Sequence, residues 1–179
     1  MGESLSKIVS IIIAVLLLFI FPVMNMFEKQ DDISRNIVFN ETTKFVDSVR
    51  NLGYITPKMY NDFMIKIEAT GNVYEISMTH MHLVVYPVYT DVTDLSSFQD
   101  KASENYENYY NDEIMNQLFP EVTSGDEIYR LSCGDYFLVE TVNKNKTMGT
   151  KIREFILNVD LPDRNIIVNY GGMIRNESY

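Results

Sequence analysis

Twenty consecutive residues, Ile8 to Phe27, carry no charge, and fourteen of them are Ile, Val, Leu or Phe. Wound as an α-helix at about 1.5 Å per residue, the run measures about 30 Å, the thickness of a bilayer's hydrocarbon core. Each of those side chains favours insertion by about 0.3–0.6 kcal/mol near the centre of a span, so the run is expected to cross a membrane. A cleaved signal peptide is the competing reading. Its apolar stretch would be about 7–15 residues long and would be followed by a small-x-small cleavage site, whereas FPVMNMFEKQ offers bulky or polar side chains. Pro22, inside the run, predicts a bend near the outer face.

The flanking charges set an expected orientation. The α-amino group, Glu3 and Lys7 sum to +1 before the run, and Glu28, Lys29, Asp31 and Asp32 sum to −2 after it, which favours a cytoplasmic N-terminus. The chain then divides into a tip over 1–7, a spanning helix over 8–27 and one extracytoplasmic domain over 28–179. The predicted location is the cell membrane, with a single pass and an extracellular C-terminal domain. With 25 acidic against 15 basic residues the net charge is −10, so no phosphate-neutralising surface is expected and nucleic acid is not an expected partner. The lone cysteine, Cys133, excludes an intrachain disulfide and leaves stability to packing.

Beyond the run, Ile33, Ile37, Val38, Phe45, Val46, Val49 and Leu52 recur at helical spacing, which predicts an amphipathic helix over 33–52 closed by Gly53. Ile37, Phe45, Val49 and Leu52 are the candidate partner contacts on this stripe. Thr56 and Pro57 predict the start of a second helix that carries Met59, Tyr60, Phe63, Met64 and Ile67. From Val73 the period becomes two, with Tyr74, Ile76, Met78, His80 and His82 on one face of a long strand that ends near Pro87. The polar stretch 90–111 reads as a surface excursion with a short helical piece over 97–110. Further expectations are a helix over 112–119, strands over 128–131 and 135–142, a helix over 151–159, and a last strand over 165–170 ended by Gly171 and Gly172. The predicted class is α+β, with a long N-terminal helix packed on a small, mainly antiparallel sheet.

Chemistry-bearing residues are few. His80 and His82 point the same way from one strand, so both rings can approach one metal ion, yet no third ligand is marked by spacing. They stay weak candidates beside the plainer reading of two imidazoles at the edge of a packed face. Asp91, Asp94, Asp100, Asp112 and Glu113 form neither a catalytic pair nor a calcium loop. Cys133 has no nucleophile motif around it, and Gly171-Gly172 is not a phosphate loop. An enzyme is not expected, and no cofactor is called for. Tyr106, Tyr109 and Tyr110 among Asn and Glu suggest either half-buried packing or an acidic, Tyr-rich recognition surface.

The succession FPVMNMFEKQDDISRNIVFN and FVDSVRNLGYITPKMYNDFMIKIEATGNVYEISMTHMH, most tellingly Gly53 to Ile76, resembles the TadE-like, pilin-related proteins of Tad/Flp-type pilus assembly systems in Gram-positive bacteria. GDYF at Gly134 to Phe137 and YGGM at Tyr170 to Met173 add to the likeness. The resemblance implies a noncatalytic minor pilin-like or assembly component, held in the lipid bilayer by residues 8–27, with pilin or pilus-assembly proteins as partners. One departure is plain. Glu3 follows Gly2 directly, so the leader and the fifth-position Glu of a processed prepilin are not in register. A membrane-tethered extracellular binding module is the alternative function.

Overall fold

The computed structural model describes residues 2–90, 98–122, 125, 127–161 and 166–176. Its first element is one helix of 51 residues, α1 (Gly2–Leu52), which runs through Pro22 and through the charged stretch 28–32 without interruption. At Pro22 one backbone donor is missing, but the turns on either side keep theirs, and the helix continues. It ends where Gly53 takes φ 74° and donates its N–H to the Val49 carbonyl at 2.8 Å, a left-handed cap that costs glycine little.

The two halves of α1 have opposite surroundings. The most apolar window of the N-terminal half has none of its residues buried against the rest of the chain. In the other half, Ser34, Val38, Thr42, Phe45, Val46 and Val49 are buried. Their three- and four-residue spacing puts them on one stripe against a four-stranded antiparallel sheet. The sheet order is β3-β2-β5-β6, from β2 (Tyr74–Tyr89), β3 (Phe98–Tyr110), β5 (Tyr136–Asn143) and β6 (Ile167–Met173). A two-stranded piece, β1 (Tyr54–Ile55) with β4 (Tyr129–Arg130), flanks it. Among the described residues three shorter helices complete the α+β fold: α2 (Pro57–Glu68), α3 (Asn111–Leu118) and α4 (Met148–Leu157).

The core gathers where α1, α2 and β5 meet. The Phe45 ring stacks on Phe63 of α2 at 4.8 Å, nearly parallel, and meets Phe137 of β5 edge-on at 6.2 Å. Such ring pairs add about 0.5–1.5 kcal/mol to the burial of their area. The start of α2 follows its sequence signal, as the Thr56 hydroxyl accepts from the Met59 N–H at 3.2 Å and Pro57 opens the helix.

Two expectations are corrected. The helical piece foreseen within the surface excursion is instead the 13-residue strand β3, exposed along nearly all its described length and paired with β2 from Thr79↔Tyr110 to Tyr89↔Phe98; residues 91–97 of the excursion lie outside the described residues. β2 bonds to β5 only over Tyr74 to Met81, so from His82 onward β2 and β3 form a two-stranded ribbon beyond the main sheet. Nearly every described side chain of β3 is exposed, so this strand has no apolar alternation to read. Gly171 and Gly172, foreseen as the end of the last strand, lie inside β6. A Cβ on Gly171 would stand 2.7 Å from the Phe137 carbonyl oxygen, and one on Gly172 would stand 2.7 Å from the Arg50 guanidinium. These glycines permit close approach of strand to strand and strand to helix. Gly171→Ala is therefore expected to destabilise the fold by about 1–3 kcal/mol, the usual cost of overpacking, read as a lowered midpoint in chemical denaturation.

Helix α4 docks on α1 just past the apolar run. Arg153 pairs with Glu28, and the Thr147 hydroxyl donates to Asp31 at 2.6 Å while capping α4 through the Thr150 N–H. Gly149 faces the Asp31 carboxylate so closely that any Cβ would collide with it. The helix foreseen over 151–159 begins three residues earlier; of its apolar side chains Ile152 is half-buried while Phe155 is 88% exposed.

Candidate functional site

The alternation of β2 sends His80 and His82 to the same face, as their spacing requires. His80 is buried and His82 half-buried. Opposite them, the segment Ser132-Cys133-Gly134-Asp135 makes a tight turn ahead of β5, with the Asp135 N–H bonded to the Ser132 carbonyl at 3.1 Å and Gly134 at φ 96°. A side chain at 134 would also press on Leu83, 3.2 Å from the would-be Cβ, so turn and strand close together only over glycine.

That turn delivers the Asp135 carboxylate, fully buried, between the two imidazoles. Its Oδ2 lies 2.7 Å from His80 Nε2 and accepts from the Ser132 N–H at 2.7 Å; its Oδ1 lies 3.0 Å from His82 Nδ1 and accepts from the Leu83 N–H at 2.9 Å. On the far side of the His80 ring, Nδ1 is 2.7 Å from the Tyr129 hydroxyl. Because an ionised carboxylate only accepts, His80 must donate from Nε2, which leaves Nδ1 to accept from Tyr129. The Tyr109 ring, opposite His80 in the β2–β3 ladder, stacks on it at 5.5 Å.

The electrostatics follow from this packing. Burial pushes the His80 pKa down; the contact with Asp135 opposes that shift without cancelling it, and His82 adds to it, so the ring is neutral at neutral pH. Burial alone would raise Asp135, but the hydrogen bonds from Leu83, Ser132, His80 and His82 outweigh it and hold the carboxyl below its ordinary range. Tyr129 is pushed well up by burial, reinforced by Tyr109, Glu113 and Asp135, so it stays a phenol. The group opens on a cleft of about 460 Å³ that Glu113, Gln117 and Arg130 also line.

No protein family, curated protein or solved structure matches the chain. Function must therefore be argued from the molecule itself.

The other residues singled out in the sequence are placed as follows. The candidate partner stripe divides: Phe45 and Val49 are buried in the chain's own core, a correction to their assignment as partner contacts, whereas Ile37 and Leu52 remain exposed at 38% and 41%. Ile37 is turned about 80° round the helix from Phe45, and Leu52, on the same line as Phe45, is the last residue of α1. Of the tyrosines, Tyr109 packs on His80, Tyr106 meets Tyr136 edge-on at 5.8 Å, and Tyr110 is exposed. Asp112 and Glu113 lie in the first turn of α3, where Glu113 accepts from the Tyr110 N–H at 2.9 Å. Cys133 is exposed. Asp91 and Asp94 lie outside the described residues, as does the side chain of Asp100. Asp135 and Tyr129, 55 and 49 residues from His80, carried no signal joining them to it; Gly134 at a turn before a strand was the one local hint.

Proposed function

We propose that this chain is a noncatalytic, single-pass membrane protein of pilin-like build that serves as a minor subunit or assembly component of a Tad/Flp-type pilus or secretion apparatus. The observation that carries the reading is the continuity of α1. One unbroken helix is apolar and unpartnered over its first half and buried under the sheet over its second. Large apolar side chains from Leu5 to Met26 are exposed on every side of the helix, and a helix apolar all round belongs in lipid or among other apolar helices.

A tethered recognition module has no need of such stiffness and works well on a flexible linker. A subunit recruited through its helix does need it, because contacts made inside the bilayer then fix where the outer domain stands. Spanning helices associate through close van der Waals packing that depends on side-chain shape, whereas insertion depends mainly on summed hydrophobicity. The charge bias across the span supports a cytoplasmic N-terminus and an extracellular domain.

Exchanging Ile8 to Phe27 for an unrelated spanning helix separates these two properties. The expected result is normal membrane insertion with a loss of co-purifying pilin or platform proteins, and the double variant Tyr106→Ser/Tyr110→Ser is expected to lose far less. Normal assembly of the exchanged chain together with failure of the tyrosine variant would replace this reading with that of a tethered binding module.

A further inference from the structure

We propose that His80 Nε2, His82 Nδ1 and a carboxylate oxygen of Asp135 together bind a divalent transition-metal ion of the zinc class. The inference is independent of the pilus reading. The three ligand atoms lie within 4.8 Å of one another. Two imidazole nitrogens and one carboxylate are a donor set that zinc accepts at about 2.0–2.2 Å, commonly with a fourth, exchangeable position.

What distinguishes this cluster from a chance meeting of polar groups is the support behind each ligand. The Asp135 carboxylate is oriented by the Leu83 and Ser132 N–H groups, and the His80 ring is held from its other nitrogen by Tyr129. Metal sites are built in this way, with the ligand's far side fixed by a hydrogen bond. The hydroxyl of Tyr129 suits both forms of the site. Without metal it donates to Nδ1 of His80; with metal on Nε2 the ring proton resides on Nδ1, and the same hydroxyl accepts it. The neutral ring thus changes tautomer without gaining or losing a proton. His82, which donates from Nδ1 to Asp135 without metal, would likewise change tautomer, coordinating through Nδ1 with its proton on Nε2.

Access and charge agree with this assignment. Asp135 and His80 are buried, but His82 is half-buried beside the cleft, which gives an ion a way in and leaves the remaining coordination position to water. Glu113 lines the same cleft, and Glu107 stands directly opposite His82 in the ladder. These carboxylates favour a cation despite Arg130 on the rim. Because the ligands come from β2 and from the turn ahead of β5, the ion would clasp the base of the β2–β3 ribbon to the main sheet.

The test uses the full-length protein in detergent, without a histidine tag, stripped with chelator and titrated with ZnCl2 by calorimetry. Binding of one equivalent, a raised Tm, and movement of the ring resonances of both histidines at that equivalent are expected. Co2+ in the same protein should give the visible absorption of a tetrahedral site. Tyr129→Phe should bind about 10–100-fold more weakly, as expected for loss of a group that orients a ligand. His82→Ala, at a half-exposed position where the fold should survive, should abolish saturable binding, and Asp135→Asn should do the same. Absence of saturable binding by the wild-type protein, binding that persists in His82→Ala, or zinc that shifts neither histidine ring would each overturn the proposal.

Discussion

Phe45→Ala is expected to lower the unfolding free energy by about 3–5 kcal/mol. The ring is sandwiched between Phe63 and Phe137, so its removal loses the transfer energy of a buried aromatic and leaves a void that three different elements would have to close together. Ile37→Ala and Leu52→Ala, on exposed parts of the same helix, are expected to change stability by no more than about 0.5 kcal/mol. Urea unfolding of the three variants in detergent, followed by tyrosine fluorescence since the chain has no tryptophan, makes the comparison. Equal effects at 37 and 45 would mean that α1 does not pack on β5 and α2 through the stripe described above.

Deleting residues 1–27 is expected to move the protein completely from the carbonate-resistant membrane fraction to the soluble fraction, with the remaining domain folded. The deleted segment gives nothing to the core, which is drawn from Val38 onward. The α4 contacts to Glu28 and Asp31 are retained by the cut. A domain of 152 residues buries about two thirds of the surface its unfolded chain exposes, enough to fold without disulfides. A cooperative thermal transition by circular dichroism checks the outcome. Aggregation would show that the exposed residues Ile33, Ile37 and Phe39 require cover that lipid or a partner supplies.

Which parts of this molecule could be read in advance depended on whether local pattern or distant contact determined them. The uncharged run, the Thr56-Pro57 helix start and the alternation from Tyr74 to His80 are local signals; the first two lie in helices and the third in a strand. β3 was illegible because FQDKASENYENYY presents nearly every residue to water; it is held as a strand by the ladder to β2, and propensity alone did not reveal it. The core and partner halves of the α1 stripe were indistinguishable in sequence, since Phe45 and Leu52 obey the same spacing and differ only in that Leu52 ends the helix. The candidate site was half legible. Two histidines on one face follow from a period of two, but the carboxylate that joins them arrives from a turn more than fifty residues away.

The unbroken α1 also has a mechanical consequence. In the membrane reading, about 25 residues of helix continue past the bilayer, a lever of roughly 37 Å at the standard rise. A spanning helix tilts by about 20° on average, so its tilt alone carries the far end of that lever sideways by about 13 Å. Rotation of the anchor about its own axis swings the β2–β3 ribbon through the same angle. On that reading the outer domain would report the pose of the spanning helix, and torque or tilt imposed within the membrane would be carried along α1 to whatever stands above it.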